Sequence, residues 1–246
     1  MCTVTYIPTA GGFYLTSSRD EKAGRATIPP TKYQAYGTDL IYPKDEVAGG
    51  TWIASDYNGR IVCLLNGAFH NHVKQERYVR SRGLILLESF KYKNAYDFSK
   101  AINLNGIEPF TMISLNYPSG IMPEFTEFRW DGTNKHLSRL STCKSQIWSS
   151  ATLYSPKIQL KRAKLFEEWI EKFKDTDGRN ILAFHCNKHG PCTFRDIVMS
   201  GGDDLMTLSI SQLHFRNGNP VFRYYDILNH RAYATELLNT SPEINA

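Results

Sequence analysis

The most reactive group in this sequence sits one residue from its start. Met1 precedes Cys2, and a small second residue favours removal of the initiator. The chain then begins with a thiol and an α-amine on the same residue. Their ordinary pKa values, about 8.5 and about 8, let the amine accept the thiol proton near neutral pH. The thiolate is the nucleophile, and a neighbouring base generates it without a histidine. Such a centre also needs a carboxylate for the ammonium and donors for an oxyanion. Arg19 and Asp20 follow the first β-hairpin, a topology that returns them towards residue 2. There Asp20 is suited to the amine and Arg19 to orienting the thiolate. Asn66, at the end of another predicted strand, carries a side-chain amide fit for an oxyanion hole.

Other chemistry-bearing groups read more blandly. His185, Cys186, His189 and Cys192 fall within eight residues. Their spacing matches no common zinc pattern and there is no second half-site, so a helix end followed by a loop is expected and no metal is assigned. His70 and His72 share one side of an extended segment just past Asn66, in reach of a pocket mouth, although an exposed loop explains them as well. Cys63 lies in an apolar run and reads as a small buried hydrophobe. Five widely spread cysteines argue against a disulfide framework.

The elements that must position these groups begin with a hairpin. Its strands are Cys2 to Ile7 and Phe13 to Ser17, joined at Gly11-Gly12. A polar stretch through Pro43 reads as a long loop. Strands follow at Thr51 to Ser55 and Arg60 to Asn66, around the Asn58-Gly59 turn, whose two central positions need positive φ. A helix is expected around Glu76 to Phe90, with Val79, Leu86 and Phe90 on one face. Asn94 caps a second helix through Ile102. Strands return at Phe110 to Asn116, Ile121 to Trp130, His136 to Leu140 and Ser145 to Ser149. Ser155 and Pro156 open the clearest helix, with Phe166, Trp169, Ile170 and Phe173 at i, i+3, i+4, i+7. A weaker helix spans Asn180 to Asn187. The alternation around Met206 to Ser211 and the run Val221 to Ile227 close the chain with strands. This order suits an α+β fold, two antiparallel sheets packed face to face with helices outside.

Bulk properties narrow the classes. The 246 residues are 41% hydrophobic and 22% charged, with a net charge of +5. One domain over residues 1–246 buries roughly three quarters of its unfolded surface, so neither metal nor disulfide is needed to stabilise it. No apolar run approaches the ~18 residues of a membrane span, and the start lacks the marks of a secretory signal. A cytoplasmic protein is expected. The basic cluster from Lys157 to Lys164 reads as a solvated helix face, and no nucleic-acid partner is inferred.

Several motifs in order also resemble a known family. Met-Cys opens the chain and Ser18-Arg19-Asp20-Glu21 follows the first hairpin. Gly49-Gly50-Thr51-Trp52 precedes the next hairpin, and Asn58-Gly59-Arg60, Leu65-Asn66 and Ser81-Arg82-Gly83 follow. Together they resemble the Asn-Arg-Asp-Glu (NRDE) family, that of the transport and Golgi organisation 2 homologues. The resemblance implies a four-layer αββα sandwich similar to N-terminal-nucleophile hydrolases such as penicillin V acylase and bile salt hydrolase. It implies Cys2 as nucleophile, Arg19 and Asp20 as its supporting pair, and Asn66 as an oxyanion donor acting on a small amide. Trp52, Ser150 and His70 become substrate-binding candidates. Ser18 stands where the motif has Asn, and Ser149-Ser150 where the related hydrolases carry another Asn. The resemblance implies a rival reading too: a non-catalytic protein of haem or lipid-linked trafficking using the same cleft. No cofactor is assigned, and haem enters only as a ligand of that rival, since no Cys-x-x-Cys-His is present. The expected partner is a small-molecule ligand or substrate.

Overall fold

The computed structural model describes residues 3–117, 123–173, 176–186, 197, 205–216 and 219–237. The chain opens with strands β1 (Thr3–Thr9) and β2 (Gly12–Lys22), followed by β3 (Thr27–Ala35), β4 (Thr38–Asp45), β5 (Ile53–Asp56) and β6 (Arg60–Asn66). Helix α1 (Arg82–Glu88) runs into a 3₁₀ turn, and α2 (Ala95–Ala101) follows. Next come β7 (Phe110–Asn116), β8 (Glu124–Trp130), β9 (Lys135–Arg139) and β10 (Gln146–Ser149). Helices α3 (Pro156–Lys172) and α4 (Gly178–Cys186) precede β11 (Leu205–Arg216), β12 (Asn219–Asp226) and β13 (Arg231–Glu236).

These strands make two antiparallel sheets. One has the order β10-β1-β2-β11-β12-β13 and the other β3-β4-β5-β6-β7-β8-β9. Period-two alternation gives each sheet two apolar faces. Val4, Tyr6, Phe13 and Leu15 meet Ile53, Cys63, Leu65 and Ile113 in the layer between the sheets. Val62, Leu64 and Met112, the alternate residues, pack outward on Leu86, Phe98 and Ile102 of the first helical layer. Ile7 and Tyr14 pack outward on Phe166, Trp169, Ile181 and Phe184 of the second. The result is a four-layer αββα sandwich, as the motifs implied.

Local chemistry explains most boundaries. The Asn94 side chain accepts a hydrogen bond from the Asp97 N–H at 2.8 Å and starts α2 where predicted. Two expectations are corrected. The long loop through Pro43 is the hairpin β3–β4, because Pro29 and Pro30 sit on an edge strand at a register shift, where their missing N–H groups cost no ladder bond. The helix expected from Glu76 begins only at Arg82, and Val79 is exposed. The sheet also extends past the Val221 to Ile227 run by β13, a polar edge strand with no apolar run to announce it.

Before α1 the Val79 N–H donates to the Gly106 carbonyl at 2.9 Å instead of to a helical partner, and the first turn of α1 is tightly packed. Gly83 crosses the Gly50–Thr51 backbone so closely that a Cβ there would lie 2.7 Å from the Thr51 carbonyl oxygen and 2.8 Å from its nitrogen. Gly50 is held reciprocally against Gly83. Backbone cannot yield as a side chain does, so Gly83→Ala should destabilise by about 1–3 kcal/mol. Urea unfolding would show this as a lower midpoint at unchanged slope.

Candidate active site

On β2 the alternation of faces separates neighbouring residues. Arg19 points into the space between the sheets and is 3% exposed. Its Nη2 donates to Asp45 Oδ2 at 2.8 Å, and its Nη1 donates to Thr27 Oγ1 at 2.9 Å and to the Arg25 carbonyl at 3.1 Å. The guanidinium lies 4.6 Å from the centroid of the Trp52 ring. Asp45 also receives Arg25 Nε at 2.7 Å and the N–H groups of Val47 and Ala48. Burial by itself would raise the Asp45 carboxyl. The Ala48 N–H and the Arg25 and Arg19 charges outweigh it and hold the group below the usual carboxylate range. Asp45 is therefore ionised, and Arg19 is a caged cation.

Arg19, Trp52 and Asn66 all line one cavity of about 230 Å³, walled further by Arg82 and Glu108. Asn66 ends β6 and its side chain is half-buried. The turn after it is clamped. Ser150 Oγ donates to the Asn66 carbonyl at 2.9 Å, and Thr111 Oγ1 donates to the carbonyl of Gly67, whose φ is +81°. The Ser150 hydroxyl thus fastens the Asn66 turn and does not line this cavity. His70 is exposed and also lies outside the lining. His72 and Arg82 share Glu108, at 3.2 and 3.0 Å.

The opposite face of the same strand carries a second polar layer. Asp20 accepts from Tyr154 Oη at 3.1 Å and from Thr207 Oγ1 at 2.5 Å. Arg162, wholly buried, stacks 3.6 Å from the Tyr154 ring centroid and donates to Thr3 Oγ1 at 2.5 Å. Lys157, Lys161 and Lys164 of the basic cluster on α3 are exposed, as a solvated face should be, and Arg162 alone corrects that reading. Arg162 stands four and seven residues before Phe166 and Trp169, so it shares their buried face, a spacing visible in the sequence. His185, also wholly buried, bridges Thr5 Oγ1 and Ser18 Oγ, each at 2.8 Å. Burial first, and the Arg162 charge second, push its pKa down to about 3. It is a neutral imidazole tying β1 to β2 beneath α4.

Cys2 lies outside the described residues, as do His189 and Cys192. Its successor Thr3 is placed. Thr3 pairs with Ser18 on one side, the residue before Arg19, and with Ser149 on the other, the residue before Ser150. Cys63 is wholly buried, and burial raises its thiol to about 12, as an inert core residue should be. Among the described residues no group of three or more His, Cys, Asp or Glu could hold a metal ion. No described helix is long and apolar enough to cross a membrane.

The fold is that of the N-terminal-nucleophile hydrolases. A cysteine-to-alanine mutant of the conjugated bile acid hydrolase from Clostridium perfringens superposes with a TM-score of 0.60 at 10% identity, covering 96% of this chain and 92% of that one. The N-acylethanolamine-hydrolyzing acid amidase orthologue of Caenorhabditis elegans gives 0.51 at 11% identity, over 86% and 92% of the two chains. The chain belongs to the Transport and Golgi organisation 2 family, whose pattern matches residues 1–196. No curated protein matches the sequence.

The buried imidazole sets a pH dependence. Folded His185 titrates near about 3 and an ordinary histidine near 6.5, so between those values the unfolded chain binds the extra proton. Its contribution to stability is complete above about pH 6.5 and is lost as pH falls, at up to about 1.4 kcal/mol per pH unit. Urea unfolding from pH 7 to pH 5 should show that slope, and His185→Gln, which keeps one donor and one acceptor, should reduce it.

Proposed function

We propose that this protein is an amide hydrolase whose nucleophile is the Cys2 thiol, exposed once Met1 is removed. The observation that carries this reading is the caged Arg19 cation. It is buried beside the β1 strand that begins at Thr3, in a cavity shared with Asn66. A cation near a thiol favours the thiolate. The α-amine takes the thiol proton, and the sulfur attacks the amide carbonyl carbon. The carbonyl oxygen becomes an oxyanion, for which Asn66 supplies a side-chain donor. Collapse breaks the C–N bond, and the leaving amine departs with the proton from the ammonium. A thioester remains. Water, deprotonated by the same amine, hydrolyses it to a carboxylic acid and restores the thiol. Asp20, fixed by Tyr154 and Thr207, supports the ammonium form. The cavity of about 230 Å³ falls below the roughly 300–1,000 Å³ of drug-sized sites, which favours a small substrate with Trp52 as one wall.

Intact mass should show a chain lacking Met1, and a thiol-directed acylating probe should label the wild type at Cys2 but not Cys2→Ala. Retention of Met1 removes the α-amine base and sinks the mechanism. Saturable haem binding that survives Cys2→Ala, with no amide turnover, would support the trafficking reading instead. With a turned-over amide in hand, Asn66→Ala should lower kcat by about 10²–10³-fold.

A further inference from the structure

A second cavity, of about 400 Å³, opens at the same end of the sandwich. Ile147, Trp148 and Ser149 of β10 all line it. They are consecutive, and their side chains alternate between faces. Ile147 packs with the outer cluster under α3 and α4, and Trp148 with the core between the sheets. Three such residues can border one space only along the edge of the strand. That edge is unpaired among the described residues, because β10 is terminal in its sheet and pairs with β1 alone. Leu160 and Ala163 of α3 form one wall, and Leu65 and Arg129 of the seven-stranded sheet form the other.

The large polar side chains around this slot, with Thr111, are already engaged, Thr111 on the Gly67 carbonyl and Gln159 on the Tyr154 carbonyl. Arg129 pairs with Glu127 through Nε and Nη2, each at 2.8 Å, and its Nη1 donates to the Ala68 carbonyl. Trp148 Nε1 donates to Glu127 at 2.7 Å. Among the described residues, the backbone of β10 keeps unmet hydrogen-bonding capacity, since alternate residues of a strand paired on one side turn their N–H and C=O outward. A saturated hydrocarbon chain would contact the apolar walls and leave those groups unsatisfied, whereas an amide backbone meets both.

We propose that this slot docks an extended peptide segment, which adds to the edge of β10 as a further strand. Four residues of β10 span about 13 Å at ~3.3 Å per residue, so the segment is short, about three residues. Its amides supply the affinity, and alternate side chains fall towards Leu160 and towards Trp148. Leu160, 72% exposed, is the apolar lip that such a segment covers.

The test uses the full chain carrying Cys2→Ala, so that failure of the thiol chemistry cannot affect it. The probe is N-acetyl-leucyl-alanyl-leucinamide. Calorimetry should show saturable binding, and hydrogen exchange at residues 146–149 should slow at least fivefold. The same peptide methylated at its central backbone nitrogen should bind at least tenfold more weakly, and Ala163→Phe, which fills the slot from the helix side, should abolish binding. No protection of residues 146–149, equal binding of the methylated peptide, or equal protection by octanamide would overturn the proposal.

Discussion

The ion pair between Arg19 and Asp45 is the contact on which the site depends, because it crosses from one sheet to the other. Arg19 lies on β2 and Asp45 ends β4, so their 2.8 Å contact fixes the two sheets against each other at the end where the chain begins. The pair is nearly dry, with side chains 3% and 11% exposed. Removing one partner of a buried pair typically costs about 3–5 kcal/mol, since the other charge is left uncompensated. Trp52 lies under the guanidinium, and Gly50 and Gly83 let two backbones approach closely enough to close that wall of the cavity. A cation held this firmly cannot swing out to water. It acts as a fixed charge.

The opposite face of the same sheet is equally constrained by different means. Arg162 joins α3 to Thr3, Tyr154 joins the segment before α3 to Asp20, and His185 joins α4 to both β1 and β2. Buried polar layers of this kind are favourable only when their groups find partners, and here the partners come from the two strands nearest the start of the chain. Helices α3 and α4 therefore do more than cover apolar surface. They tie β1 and β2 together from outside, while Arg19 anchors β2 to the other sheet from inside.

Much of this was legible in the sequence, for identifiable reasons. Strands β6 and β7 follow from β-prone runs, and the chain does turn at Asn58-Gly59, although only Gly59 takes positive φ (+89°), not both residues as expected. Asn94 and the Phe166–Trp169 spacing announce helices by capping and periodicity. Motif order carried the fold class, and of the residues it singled out Arg19, Trp52 and Asn66 line one cavity while Asp20 does not. What escaped depends on context that no local pattern encodes. Pro29 and Pro30 look like a loop unless the strand is known to lie on an edge. Val79 matches a helical face, but its N–H is taken by the distant Gly106 carbonyl, a contact no local pattern encodes. Arg162 reads as surface charge within a basic cluster although its spacing to Phe166 and Trp169 marks a buried face, and His185 reads as a helix-end imidazole until packing on β1 and β2 buries it. Arg19 and Asp20 are adjacent, and strand alternation turns one towards Asp45 and the other towards Tyr154 and Thr207.

The account stands on the chain's own beginning being seated against the caged cation. A crystal structure of the protein purified without Met1 tests this most directly. It should place the Cys2 sulfur within about 4–6 Å of the Arg19 guanidinium, close enough for the charge to favour a thiolate, with the Asn66 amide facing the same space. A sulfur turned to solvent on the far side of β1 would contradict the account, however well the rest of the sandwich agreed.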